Sequence, residues 1–196
     1  MIYIAVIVFV FLFIWIILVY IRKSLWDTVH RNLLDLEDMY EGKVIRKSML
    51  ARPVFHGRFG NYNLTLNFSS EKGTNGRINY IDVSYDLNTK YSITIASKNW
   101  LEIQTKEEQK DYQLVDNKNG QSFLVRPASR EEVKKLLNEK SFSEFIDEFS
   151  DLGYFFSGKT GILCEYLSEN TAQSTKIENL KKRLELIVAL AQAINK

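Results

Sequence analysis

The sharpest chemical pattern in the chain is Gly153-Tyr-Phe-Phe-Ser-Gly158-Lys159-Thr160, which fits G-x-x-x-x-G-K-[ST] letter for letter. A phosphate-binding loop of that form turns backbone N–H groups and a helix N-terminus toward the phosphates. It needs a strand before it and a helix after it. Here the order is inverted: residues 141–152 read as helix and residues 162–167 as strand. The loop interior would be Tyr-Phe-Phe, β-forming residues that want burial. The expectation is a hairpin turn over residues 157–161, with Lys159 the residue on which any nucleotide chemistry would depend.

A second cluster mixes cationic and aromatic groups: Arg52, Phe55, His56, Arg58, Phe59 and Tyr62. Such a segment suits an anionic lipid headgroup or an acidic stretch of a partner. Its plainer reading makes Phe55 and Phe59 core residues, Gly57 and Gly60 turns, and the arginines solvated. Arg52, His56, Arg58 and Tyr62 are the candidate ligand-binding residues.

The remaining reactive side chains are few. His30 and His56 are the only histidines, and His30 has no second histidine at i+3 or i+4, so a helical metal pair is absent. Cys164 is the sole cysteine, which excludes an internal disulfide and a cysteine metal cluster. It falls in an alternating strand with Ile162 and Tyr166, the setting of a buried, inert thiol. Glu107, Glu108 and Asp111 sit among Lys106 and Lys110, a neutralised surface rather than paired catalytic carboxylates. No catalytic residue, metal or cofactor is assigned.

The elements that must position these groups begin with residues 2–21, apolar or aromatic throughout, with no charge, Gly or Pro. At a rise of ~1.5 Å per residue such a helix reaches roughly 30 Å, the thickness of a bilayer's hydrocarbon core. Inside lipid a helix satisfies its own backbone, so this stretch reads as a membrane anchor, residues 1–21. A cleaved signal peptide would have a positive start, a shorter apolar run and a small-residue cleavage site, none of which is present. Tyr3 and Tyr20, with Arg22, Lys23 and Trp26 beyond, are the candidate membrane-interface residues. Arg22, Lys23 and Arg31 follow the helix and no Lys or Arg precedes it. That bias places the N-terminus outside and the rest in the cytoplasm, a single-pass arrangement. The helix holds no Asp, Glu, Lys, Arg, His, Asn or Gln, so it offers an anchor rather than an ion path.

Residues 22–41 read as an amphipathic juxtamembrane helix. Trp26, Val29, Leu33, Leu36 and Tyr40 form one apolar face, and Gly42 is a plausible cap. Residues 42–196 read as one α+β domain. Strands are expected near residues 44–50, 62–68, 78–85, 91–96, 112–115 and 122–125, with Trp100, Leu101 and Ile103 as an extension. Capping boxes at Ser129, Ser141 and Thr175 announce three helices, and Gly153 is read as ending the second. The last helix, from Ile177 to Ile194, is apolar over so much of its surface that it must be buried. Strands segregated from helices predict a largely antiparallel sheet packed by C-terminal helices.

This order, with Gly57 and Gly60 before a strand and Gly161 starting another, resembles a loose class of bacterial single-pass membrane proteins with an α+β tail domain. That class implies a fold and no activity. The chain carries 26 basic and 24 acidic residues, net +2, a balance that does not suggest nucleic acid. The functional expectation is a non-catalytic, membrane-anchored accessory or scaffolding subunit whose partners are the lipid bilayer and a protein. Its rivals are a lipid-headgroup or small-ligand binding domain and a tethered enzyme.

Overall fold

The computed structural model describes residues 2–73, 76–98, 112–127 and 130–195. The proposed extension at Trp100–Ile103, the charged stretch 105–111 and the cap at Ser129 lie outside them. The order is α1 (Ile2–Met39), β1 (Lys43–Ile45), β2 (Val54–Phe59), β3 (Tyr62–Gly73), β4 (Gly76–Tyr85), β5 (Ile93–Ser97), β6 (Gln113–Asp116) and β7 (Ser122–Pro127). Then come α2 (Arg130–Leu137), α3 (Lys140–Glu148), β8 (Leu152–Gly158), β9 (Gly161–Leu167), α4 (Thr171–Ser174) and α5 (Ile177–Ile194).

Among the described residues the strands form one antiparallel sheet in the order β1-β2-β3-β4-β9-β8-β5-β7-β6. The α+β architecture read from the sequence is therefore the observed one. The sheet is open, with β1 and β6 as its edges. Alternation along each strand sends every second side chain to the same face. One register row crosses most of the sheet: Phe55, Leu66, Val83, Cys164, Phe155, Ile95 and Val125. All seven are fully buried, so this face is the core. The second half of α1, with α3 and α5, joins the same apolar cluster through Leu33, Leu36, Phe145, Leu184 and Ile187.

α1 runs unbroken for 38 residues and leaves its apolar N-terminal window entirely unburied. It is long and apolar enough to cross a membrane. Trp26, Val29, Leu33 and Leu36 enter the core instead. Asn32 Nδ2 donates to Ala172 O at 2.8 Å and Thr175 Oγ1 at 3.0 Å, fixing this half to the α4 turn.

The local punctuation differs from the expectation in several places. Residues 52–60 contain a strand, β2, rather than a glycine-rich entry. Gly57 belongs in it because a Cβ there would stand 2.7 Å from Tyr40 O and 2.5 Å from the Phe55 ring. The left-handed residue after α1 is Glu41 (φ 44°), not Gly42. Gly42 serves packing instead, since its Cβ would lie 2.8 Å from His56 O. α3 is capped at Glu139 with no side-chain bond, so Ser141 is inside the helix. That early start puts Phe142 on the face of Phe145 and Ile146, all buried. Thr175 does not cap α5; its hydroxyl donates to Thr171 O at 2.8 Å, and Lys176 takes the cap position. Gly153 lies within β8, because Leu152 already pairs with Tyr166 across a bulge.

Candidate functional site

The P-loop-like letters form a β-hairpin. Gly153 to Gly158 are strand, Lys159 and Thr160 are the turn, and Gly158 pairs with Gly161. Gly161 adopts φ 119°, and a Cβ there would meet Tyr85 O at 2.5 Å. No helix N-terminus follows, so the turn lacks the phosphate cradle of the motif. Cys164 is fully enclosed, and burial pushes its thiol pKa up, the opposite of an activated nucleophile.

The four candidate ligand residues are spread along two strands and a loop. His56 and Arg58 are exposed and alternate on the solvent side of β2. His56 Nδ1 lies 3.2 Å from Thr65 Oγ1 across the β2–β3 pair. Tyr62 is half-buried beside the core, opposite Phe59. The small pocket at Arg58, about 250 Å³, is lined by Met39, Tyr40, Glu41, Phe59 and Gly60 and by none of the other three. Arg52 sits toward the other end of the strands. It donates to Phe68 O at 2.7 Å and Ser70 Oγ at 2.6 Å, and its guanidinium lies 5.8 Å from the Trp26 ring centroid.

That end is the best-organised charged surface of the molecule. Trp26, named from sequence as a membrane-interface residue, is only 7% exposed and packs against Phe68 at 5.6 Å. It serves as the first core residue of α1, because the β3–β4 hairpin covers it. Tyr3, Tyr20 and Arg22 are exposed, and Lys23 pairs with Asp27 at 3.2 Å. Asp27 also receives Arg46 Nη1 at 2.6 Å. Arg46 in turn donates through Nε to Ala51 O at 3.1 Å and through Nη2 to Met49 O. One side chain thus curls the 46–52 loop and ties it to the helix. The Arg46 hydrogen bond holds the Asp27 carboxyl below its ordinary pKa, with Lys23 assisting against some desolvation.

Two further polar sites were not anticipated. Arg183 of α5 pairs with Asp151 at 2.8 Å and lies 4.3 Å from the Tyr166 ring centroid and 5.0 Å from that of Phe149. Burial opposes its charge, but Asp151 and Tyr166 outweigh burial and raise its pKa. In sequence Arg183 follows Lys181 and Lys182 and precedes Glu185, so nothing local set it apart from a solvated charge. On the opposite face of the sheet Asp82 stands directly across from Glu165. Burial raises both carboxyl pKa values; Asp82 and Glu71 raise that of Glu165 further, while at Asp82 the Ser69 hydrogen bond and Arg52 oppose the rise and Glu71 adds to it. A cleft of about 890 Å³ lies near Tyr80, Asp151, Asn170 and Gln173. Of its two acids, Asp151 and Glu169, the first is paired with Arg183.

No protein-family model matches the chain. No curated protein matches it either. Among solved structures the chain is similar to the mycobacterial trehalose monomycolate transport factor A, TtfA. Identity is 11%, the match covers 85% of this chain and 94% of that one, and the TM-score is 0.52. At that identity the likeness is one of fold, an α+β domain of the same general build.

Proposed function

We propose that the protein is a non-catalytic, membrane-anchored accessory module that holds its α+β domain against the cytoplasmic membrane surface and there binds a protein partner. The observation that carries this reading is the continuity of α1. Its first half exposes only apolar side chains, while Trp26, Val29, Leu33 and Leu36 of the same helix are core residues of the domain. A helix shared in this way makes the anchor an integral part of the fold rather than a leash. It sets the height and tilt of the domain over the bilayer, and tethering raises its effective concentration toward other membrane-bound proteins. The basic residues after the apolar stretch, Arg22 and Lys23, favour a cytoplasmic domain. A fold neighbour named as a transport factor is in keeping with an accessory role at a membrane. The buried Cys164 and the hairpin geometry of the motif take away the two sequence features that had favoured the enzyme reading.

The test is extraction of the C-terminally tagged chain in mild detergent, followed by size analysis and identification of co-purifying proteins. A stoichiometric partner that is lost on replacing residues 2–21 with an unrelated soluble leader is expected. A clean monomer carrying lipid alone would overturn the partner reading.

A further inference from the structure

We propose that the end of the domain next to Arg22 is a lipid-docking face that rests on anionic phospholipid headgroups of the bilayer spanned by α1. The inference rests on reading α1 as a membrane anchor, and does not depend on the protein partner.

Three segments distant in sequence meet at this end. They are residues 22–27 of α1, the loop 46–52 and the described residues 71–73 and 76–77 of the β3–β4 hairpin. Arg46 joins the loop to α1 through Asp27, and Arg52 joins it to the hairpin through Phe68 O and Ser70 Oγ. Burial disfavours the charged form of Arg52, the nearby Arg77 and Arg22 add to that, and Asp82 offsets part of it. Arginines from all three segments therefore crowd together.

Charge is segregated onto this face. The three segments hold seven basic residues: Arg22 and Lys23, then Arg46, Lys47 and Arg52, then Lys72 and Arg77. They hold two acids, Asp27 and Glu71. The rest of the chain has nineteen basic residues and twenty-two acidic ones, so the basic excess of the whole protein comes from here. Asp27 is already shared between Lys23 and Arg46. An external anion relieves the remaining repulsion, and a headgroup phosphate is the anion at hand. Arg22 follows Ile21 within one continuous helix, which fixes the face at headgroup level. Met49, 63% exposed at the apex of the loop, supplies an apolar tip that fits between headgroups. Near an anionic surface each Lys or Arg favours the bound state by about fivefold.

The experiment uses the full chain in nanodiscs of phosphatidylcholine alone or mixed equally with phosphatidylglycerol. Met49→Cys carries an environment-sensitive fluorophore, and the native Cys164 is fully enclosed in the fold and stays unlabelled. Leu114→Cys, exposed on the β6 edge, is the control position. In the anionic discs the Met49 label should shift to the blue, and quenching by neutral acrylamide should slow by about threefold or more, with no change at Leu114. Molar salt should reverse the effect, because the screening length falls to about 3 Å. The pair Lys47→Glu and Arg77→Glu, both at exposed positions, should abolish it while the chain still co-elutes with the discs. Equal quenching in the two lipids, or protection that survives the double reversal, overturns the docking face. Failure to co-elute with discs would instead overturn the anchor, so the two readings fail separately.

Discussion

The two halves of α1 share one backbone geometry and face opposite demands. From Ile2 to Ile21 the helix is apolar all round and none of its hydropathic window is buried in the domain. From Trp26 to Leu36 it is amphipathic, and Val29, Leu33 and Leu36 are fully buried. A helix apolar on every side needs a solvent that is apolar on every side, whereas a striped helix needs one partner face. The change occurs within a few residues, at Arg22, Lys23 and Asp27, without a break in the helix. Hydrophobic side chains therefore do two different jobs here: the first half interacts with what surrounds the protein, and the second half with the protein itself.

Equivalent truncations in the two halves break that comparison most sharply. Leu33→Ala should destabilise the domain by about 2–5 kcal/mol, the range for an apolar side chain removed from a closed core. Leu12→Ala, at a position 53% exposed, should leave domain unfolding unchanged. Urea titrations of both variants in micelles, followed by near-ultraviolet circular dichroism, make the check. Equal losses would mean that residues 2–21 pack on the domain and are not lipid-facing.

How much of this was legible depended on whether a signal was local and periodic. The apolar run, the Trp26–Tyr40 stripe and the alternation from Tyr62 onward each repeat a side-chain pattern over several turns or pleats, and each became the predicted element. The caps were misread where a tertiary demand overrode a local one. Ser141 lost the cap because Phe142 had to reach the core, and the Thr175 hydroxyl was taken by α4 and Asn32. β2 was hidden because its one glycine, Gly57, makes room for the Phe55 ring of its own strand and for the Tyr40 carbonyl just beyond α1. The candidate site was half legible. Its residue types stood out at Arg52, but its partners Trp26 and Phe68 and the opposing charge of Arg77 come from elsewhere in the chain, and sequence alone gives no measure of that convergence.

The junction after α1 sharpens the comparison at a smaller scale, since it decides how rigidly the second half of the helix joins the sheet. Arg58 N donates to Tyr40 O at 2.6 Å, directly beside Gly57. Gly57→Ala places a methyl group 2.7 Å from that backbone oxygen, which cannot rotate away as a side chain could. The expected cost is about 1–3 kcal/mol, as for other overpacked sites. Calorimetry of the variant in micelles would read it as a lowered midpoint, and an unchanged midpoint would mean that β2 yields freely from the end of α1.

The smallest effects separate the carboxylate just after the apolar half of α1 from the one on the open face of the sheet. Asp27 has a folded pKa below its ordinary value of 3.8, chiefly through the Arg46 hydrogen bond. Its contribution is present above 3.8 and is lost as pH falls through the lower folded value. Asp82 is the reverse, raised above 3.8 by burial despite the Ser69 hydrogen bond and the attraction of Arg52. In the window between 3.8 and its folded value the native state holds more protons than the unfolded one, so stability falls as pH rises through that window. At neutral pH, Asp27→Asn should therefore lower the melting midpoint and Asp82→Asn should raise it. Both changes should shrink in acid, as wild-type Asp82 becomes protonated first and Asp27 last. Melting curves across pH 3–7 decide the matter. A lowered midpoint for Asp82→Asn at neutral pH would mean that Ser69 and Arg52 outweigh desolvation, and that the outer carboxylates brace the sheet rather than load it.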